Sequence, residues 1–253
     1  MLKRGQITIF VIIAIALIGA VSTVYLFREQ LGITNPIIQD SREIKEYIQY
    51  CVDISLIDAV RLVGLQGGYI LVPNNSAKTE FGNVAYGMIL ANGTNETALT
   101  TFDNSLATKE TIEKEIDSYI NFVVPICLNK ENYQTLDIDI ENINTKTKIN
   151  EGYVSADIVF PVTISRGDSS SRLSDPYESK VLIRLGKIYE FSQKIIQEEI
   201  KDPNYIDISQ IVDSEYFISV LPIDEKTNVY TIIDNSSQIE NAPYTFRFAN
   251  RLS

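Results

Sequence analysis

The strongest pattern along this chain lies at its start. From Gln6 to Phe27, 22 consecutive residues carry no charge, and most are Ile, Val, Ala, Leu or Phe. As a helix rising about 1.5 Å per residue, the run reaches roughly 33 Å, enough to cross a hydrocarbon core about 30 Å thick. It exceeds the about 7–15 apolar residues of a cleavable secretory signal, and Val24-Tyr25-Leu26-Phe27 stands where small residues would mark a cleavage site. It is apolar all round, which excludes an amphipathic helix lying in the interface. Residues 1–34 are therefore expected to form a cytoplasmic stub and transmembrane anchor, with the helix continuing to about Ile33 and stopped by Asn35-Pro36.

Beyond the anchor the apolar period changes several times. Ile44, Tyr47, Ile48, Cys51, Val52, Ala59, Leu62 and Val63 recur at helical spacing and predict a helix over about 41–64. Asp40 and Glu43 read as its capping box, Gly64 and Gly67-Gly68 as its C-cap and turn. Tyr69–Val72 reads as a short strand before Pro73, and residues 74–108 as a polar excursion holding one strand near Val84–Leu90. Ile112, Ile116, Tyr119, Ile120 and Val123 predict a second helix over 109–124, kinked or ended by Pro125. Leu136, Ile138 and Ile140 alternate with Asp137, Asp139 and Glu141, a strand with one acidic, solvated face. Strands over 145–149 and 153–164 flank a turn at Asn150-Glu151-Gly152, and 166–175 reads as a loop. Tyr177–Lys201 reads as a third amphipathic helix, and strands are expected at 216–221, 229–233 and 244–249. Helices and hairpins are segregated, so the fold class is α+β, with amphipathic helices packed on antiparallel sheet. The expected organisation is a helix-rich lobe over 35–130 and an α+β lobe over 131–253, or one domain made of both.

Charge sets the topology. Lys3 and Arg4 precede the apolar run, while Arg28 after it is compensated by Glu29, so the positive-inside rule keeps the N-terminus cytoplasmic. Removing Lys3 and Arg4 from the 22 basic residues leaves 20 against 33 acidic ones, a formal charge of −13 for the remainder. So acidic a domain has no electrostatic footprint for nucleic acid. The expected partners are the lipid bilayer, through the N-terminal helix, and other envelope or surface proteins. The expected location is a single-pass cell-membrane protein with its C-terminal domain outside the cell.

Cys51 and Cys127 both fall in the exported part, on or just past apolar helix faces. An even count in an oxidising compartment suggests one disulfide, although buried free thiols would occupy the same positions. A bridge would close a loop of 76 residues, worth roughly 4 kcal/mol in the chain-entropy account. Four acceptor sequons, at Asn74, Asn92, Asn95 and Asn235, suit an exterior domain.

Catalytic signatures are sparse. The chain has no histidine, which excludes Ser-His-Asp and Cys-His nucleophiles and His-ligated zinc. Gly64-Leu65-Gln66-Gly67-Gly68 lacks the spacing of a phosphate loop. Asp137, Asp139 and Glu141 have no calcium-loop spacing around them, and Arg166-Gly167-Asp168 is a tripeptide frequent by chance. A Ser-Lys hydrolase needs no histidine, but Ser179-Lys180 and Ser192-Gln193-Lys194 lack the Ser-x-x-Lys spacing. No catalytic residue, metal ligand or cofactor is expected.

Lys3-Arg4-Gly5-Gln6-Ile7-Thr8-Ile9-Phe10 resembles the start of archaeal prepilin-like proteins, in which a basic-Gly-Gln junction directly precedes the hydrophobic helix. That resemblance implies cleavage between Gly5 and Gln6. Assembling subunits of that family carry Glu five residues past the cut, where this chain has Phe10, which implies an anchor that does not polymerise. Cys51, the Gly64–Tyr69 segment, Cys127 and the closing Tyr244–Ala249 are similar to a group of exported archaeal membrane proteins that carries no established activity. The functional expectation is a non-catalytic, membrane-anchored structural or interaction protein of the cell envelope, of pilin-like type. The alternative is an extracellular small-molecule sensor or binding module, with a hydrolase ranked behind both.

Overall fold

The computed structural model describes residues 36–91, 101–129, 133–202 and 214–251, with Ile18 in addition. Its core is organised around one long helix, α1 (Pro36–Leu65). Ile37, Ile44, Ile48, Cys51, Val52, Leu56, Ala59, Val60 and Val63 are all buried, an unbroken stripe at spacings of one, three, four and seven. Helix α2 (Lys109–Cys127) packs against it, burying Ile112, Ile116, Ile120 and Val124. A third helix, α3 (Leu185–Lys201), packs on the same face of the largest sheet as α1, with Glu199 bonded to Tyr230 and Asn250 where Tyr244 of that face bonds the Val60 carbonyl.

Twelve strands are described. The largest sheet is ordered β1 (Ser76–Thr79), β2 (Gly82–Leu90), β12 (Ala242–Arg251), β11 (Thr227–Ile239), β10 (Phe217–Asp224). The short β3 (Phe102–Asn104) also pairs with β2. All its pairings are antiparallel except β2 with β12. One face, carrying Tyr230, Ile232, Tyr244, Phe246 and Phe248, is buried in the main core. Two three-stranded antiparallel sheets cover the rest of α1: β4 (Asp137–Ile140), β7 (Val162–Arg166), β8 (Ser169–Leu173), and β5 (Asn144–Ile149), β6 (Val154–Val159), β9 (Tyr177–Val181). The fold is α+β with antiparallel sheets and, among the described residues, three helices. The main hydrophobic cluster runs from Ile37 to Phe248, a small second one gathers Ala77, Val84, Val229 and Ala249, and the large sheet joins strands from both sides of residue 131.

Several elements differ from the sequence expectation. Residues 36–40 are already helical because Ile37 extends the buried stripe; Asp40 lies inside α1 and pairs with Arg166 at 3.0 Å instead of capping. Gly64 is also helical. A Cβ there would meet the Thr245 carbonyl at 2.5 Å, so this glycine lets α1 close on β12, where Tyr244 donates to the Val60 carbonyl at 3.1 Å. The helix ends at Leu65 and the chain turns through Gly67 at φ +77, with the Gly68 N–H donating to the Val63 carbonyl. Tyr69–Val72 forms no strand, because the Ile70 and Leu71 N–H groups donate to the Glu115 carboxylate at 2.8 and 3.0 Å. Pro125 does not end α2, since in the last turn its missing N–H forfeits a single helical bond. The expected strand over 153–164 breaks at Phe160-Pro161, and its halves enter different sheets. The expected loop over 166–175 is largely strand β8, turned from β7 at Gly167-Asp168 with Gly167 at φ +57. Residues 177–181 are strand β9, with Tyr177, Ser179 and Val181 inward, so α3 starts only at Leu185. Asp137 and Asp139 project outward from β4 as expected.

The polar side of α2 takes the place of a missing strand. Glu113 accepts the Ile149 N–H at 2.9 Å, Asp117 the Thr147 N–H at 2.7 Å, and Asn121 the Thr145 hydroxyl at 2.7 Å. Positions four apart on a helix advance about 6 Å and positions two apart on a strand about 6.6 Å, so the two periods stay matched over this length. The edge of β5 is thereby satisfied by side chains instead of a neighbouring strand. Burial pushes the Asp117 carboxyl above its ordinary value, partly offset by its bonds from Thr147. Asp117→Ala leaves a half-buried amide without its acceptor and should cost about 1–3 kcal/mol in urea unfolding. Asp117→Asn, which retains an acceptor, should recover most of that loss.

Cys51 and Cys127 form a disulfide with Cα atoms 5.9 Å apart, joining the middle of α1 to the end of α2. Cys51→Ser and Cys127→Ser remove the same crosslink. Each should destabilise the domain by roughly 4 kcal/mol, and the two losses should agree when measured under identical denaturant conditions.

Candidate functional site

Polar groups converge at two buried places and line three surface clefts. The first buried place begins with Arg184, which precedes α3. Its Nε and terminal nitrogen donate to the two oxygens of Asp234 at 2.9 and 2.5 Å, and its remaining nitrogen donates to Glu215 at 2.5 Å. Asp234 is fully buried and also accepts from the Ser236 N–H and the Ser237 hydroxyl. Burial alone would raise this carboxyl, but the bonds from Arg184, Ser237 and Ser236 outweigh it and hold the group below its ordinary value. The ladder between β11 and β12 shifts register between Asp234 and Gln238, and this cluster fixes that bulge to the start of α3. Each Asp234 oxygen accepts two bonds from within the protein, so this carboxylate serves to position elements.

The second is a carboxyl inside the core. Glu199 lies on the buried stripe of α3 with Leu185, Ile188, Ser192, Ile195 and Ile196, and it is 3% exposed. The Tyr230 hydroxyl from β11 donates to one of its oxygens, and the Asn250 amide from β12 donates to the other at 2.5 Å. Tyr230 is itself stacked on Phe248, with ring centroids 5.1 Å apart. Burial pushes the Glu199 carboxyl up to about 7, with the Asn250 bond opposing it, and no charged side chain contributes. Such a group exchanges a proton near neutrality, but a substrate has no way to reach it. Sequence periodicity placed Ile195, Ile196 and Ile200 on this helix and passed over Glu199, although position 199 falls seven past Ser192 on the same stripe.

The clefts are open to solvent. One of about 500 Å³ lies between Asp40, Glu43, Tyr133 and Arg166, where the arginine is already paired with Asp40. A second of about 250 Å³ is lined by Arg61, Leu65, Glu240 and Pro243, and there Arg61 is paired with Asp58 and Glu240. The third, about 480 Å³, is a groove on the outward face of the large sheet, roofed at one side by the β1–β2 turn. Its lining is mainly apolar and includes Arg247, which none of the described carboxylates pairs with.

The remaining residues singled out by sequence stay apart. Ser179 donates to Asp53 at 2.7 Å while Lys180 sits over the Tyr153 ring, and Ser192 donates back to the Ile188 carbonyl at 2.8 Å. Neither serine is paired with a lysine. Among the described residues no group of three or more Cys, Asp or Glu side chains is arranged to hold a metal ion. Asn74 is exposed in the loop before β1. Asn235 is exposed on the β11 bulge, but Ser237 of its sequon is buried and bonded to Asp234 and the Arg184 N–H. Gly5, Gln6, Asn92 and Asn95 lie outside the described residues, as does all of the uncharged run except Ile18. Among the described residues no helix is long and apolar enough to cross a membrane. Compared with known proteins, the chain matches no protein-family model, no curated protein and no solved structure.

The Glu199 site gives a signed pH dependence. Between the ordinary glutamate value of 4.5 and about 7, the folded state retains a proton that the unfolded chain has released. The associated stability is fully present below 4.5 and is lost as pH rises to about 7, a change of about 3 kcal/mol. Glu199→Gln cannot ionise, so relative to the native protein it should gain about that amount across the same window. Urea unfolding of both proteins at several pH values measures the difference, and parallel curves would contradict the assignment.

Proposed function

We propose that this chain is a membrane-anchored protein of the cell envelope that presents its α+β domain outside the cytoplasm as a non-catalytic interaction module. The observation that carries the reading is the disulfide between Cys51 and Cys127, because such bridges persist in oxidising compartments. The uncharged run from Gln6 to Phe27 and the basic residues before it support the anchor and its orientation. The acidic balance of the chain supports partners other than nucleic acid, and so envelope or surface proteins beside the bilayer itself. Near the bridge, Tyr50, Phe122 and Ile126 are well exposed on α1 and α2, offering apolar contact area of the kind partners bury. The prepilin-like junction supports removal of residues 1–5 after insertion, and Phe10 in place of Glu supports an anchor over a filament subunit.

A second reading, an extracellular small-molecule binding module, is favoured by one observation: the outward groove that holds Arg247. A hydrolase has no comparable support.

Topology and processing are testable together. A membrane-impermeant amine reagent on intact cells should modify Lys146 and Lys226, both exposed on the domain. Reaction only after lysis would place the domain in the cytoplasm and sink the proposal. Mass spectrometry of the native protein should give Gln6 as the first residue. It should also find glycan, where present, at Asn74 and not at Asn235, whose sequon serine is locked in the fold. Filaments of this chain in sheared surface material would replace the anchor reading with a polymer.

A further inference from the structure

The groove on the outward face of the large sheet is walled by the β1–β2 turn on one side and by β10 and β11 on the other. Leu221, Ile223 and Val229 form its floor and far wall, Phe81 hangs over it from the turn, and Lys78 stands at the rim. Arg247 rises from β12 into this space with its guanidinium 4.7 Å from the centre of the Phe81 ring. At that distance the ring is within cation–π range, a contact that does not use up the N–H donors of the guanidinium. In a chain of net charge −11, Arg61, Arg166, Arg172 and Arg184 all pair with carboxylates. Arg247 has no such partner among the described residues although it is half-buried, and burial lowers its pKa, as expected of a cation partly stripped of water.

We propose that this groove binds a small amphiphilic carboxylate, its two oxygens on the Arg247 guanidinium and its apolar body against Phe81, Leu221, Ile223 and Val229. The proposal deepens the binding-module reading by naming the ligand class. A planar guanidinium matches the two oxygens of a carboxylate. Glu80 on the same wall disfavours a more highly charged anion such as a phosphate dianion. The size suits a small molecule, and 480 Å³ lies within the usual range for such sites. An added strand is a poorer occupant, because β10, the adjacent sheet edge, carries Pro222 and a register shift between Pro222 and Asp224.

The test uses the full chain in lipid nanodiscs, with empty nanodiscs as the blank, titrated calorimetrically with phenylbutyrate, phenylbutanol and phenylbutylamine. These share one apolar body and differ in the head group. Phenylbutyrate should bind about tenfold or more tightly than the other two, and Arg247→Gln should bring it down to the level of the alcohol. Leu221→Asp, at an exposed position that should not disturb folding, should abolish carboxylate binding and favour the amine. Phe81→Ala should weaken all three probes. Equal or tighter binding of the amine by the native protein would overturn the carboxylate assignment while leaving a binding module in place. Binding of none of the probes would overturn both. Unchanged phenylbutyrate affinity in both Arg247→Gln and Leu221→Asp would show that the ligand sits elsewhere.

Discussion

A helix of 30 residues buried along one whole side must be covered along its length, and the architecture follows from meeting that demand on α1. Among the described residues no single element contacts it along its whole length. The cover is assembled from pieces: α2, strand β12 of the large sheet, and strands β6 to β9 of the two small sheets. Gly64 and the Tyr244 hydroxyl fix how closely β12 approaches, and the disulfide fixes α2. The three sheets share no strand, and α1 is what makes them one core.

Assembly from pieces leaves strand edges, and side chains supply what backbone does not. Glu113, Asp117 and Asn121 complete the edge of β5, and Glu115 caps the turn after α1. Because three of these four side chains are carboxylates, a chain that looks merely acidic in composition uses part of that acidity as internal hydrogen-bond acceptors. Glu199 shows the opposite use of the same chemistry. With only Tyr230 and Asn250 for partners, its carboxyl is held protonated toward neutrality, whereas Asp234, clasped by Arg184, is held ionised.

Much of this arrangement was legible in the residues. Helical periodicity located the main bodies of α1 and α2, the alternation of Leu136–Glu141 gave an outward acidic face, and the two cysteines fell where a staple between packed helices belongs. The misreadings share a cause: short-range spacing is ambiguous when two elements abut. Tyr177, Val181, Leu185 and Ile188 are spaced as on one helix, yet the first two alternate inward on β9 and only the last two belong to α3. Val154–Ile164 alternates continuously, but Pro161 lacks the N–H that a ladder needs and the strand divides there. The polar sites were less legible, because their members come from distant positions, 51 apart for Glu199 and Asn250. The groove around Arg247 exists only once β1, β10, β11 and β12 share one sheet.

The position of the Cys51–Cys127 bridge has a mechanical consequence. Tension applied between the two ends of the chain passes from the first half of α1 through the sulfur atoms to the end of α2, and so bypasses the intervening segment, which includes β1, β2 and β3. That loop of about 75 residues would add roughly 250 Å of slack if it were free to pay out, at about 3.4 Å per residue. With the bridge closed, the tether is shorter and stiffer by that length, and most of α2 is shielded from the pull. A reducing environment would convert a load-sparing link into a long, compliant one without cutting the backbone.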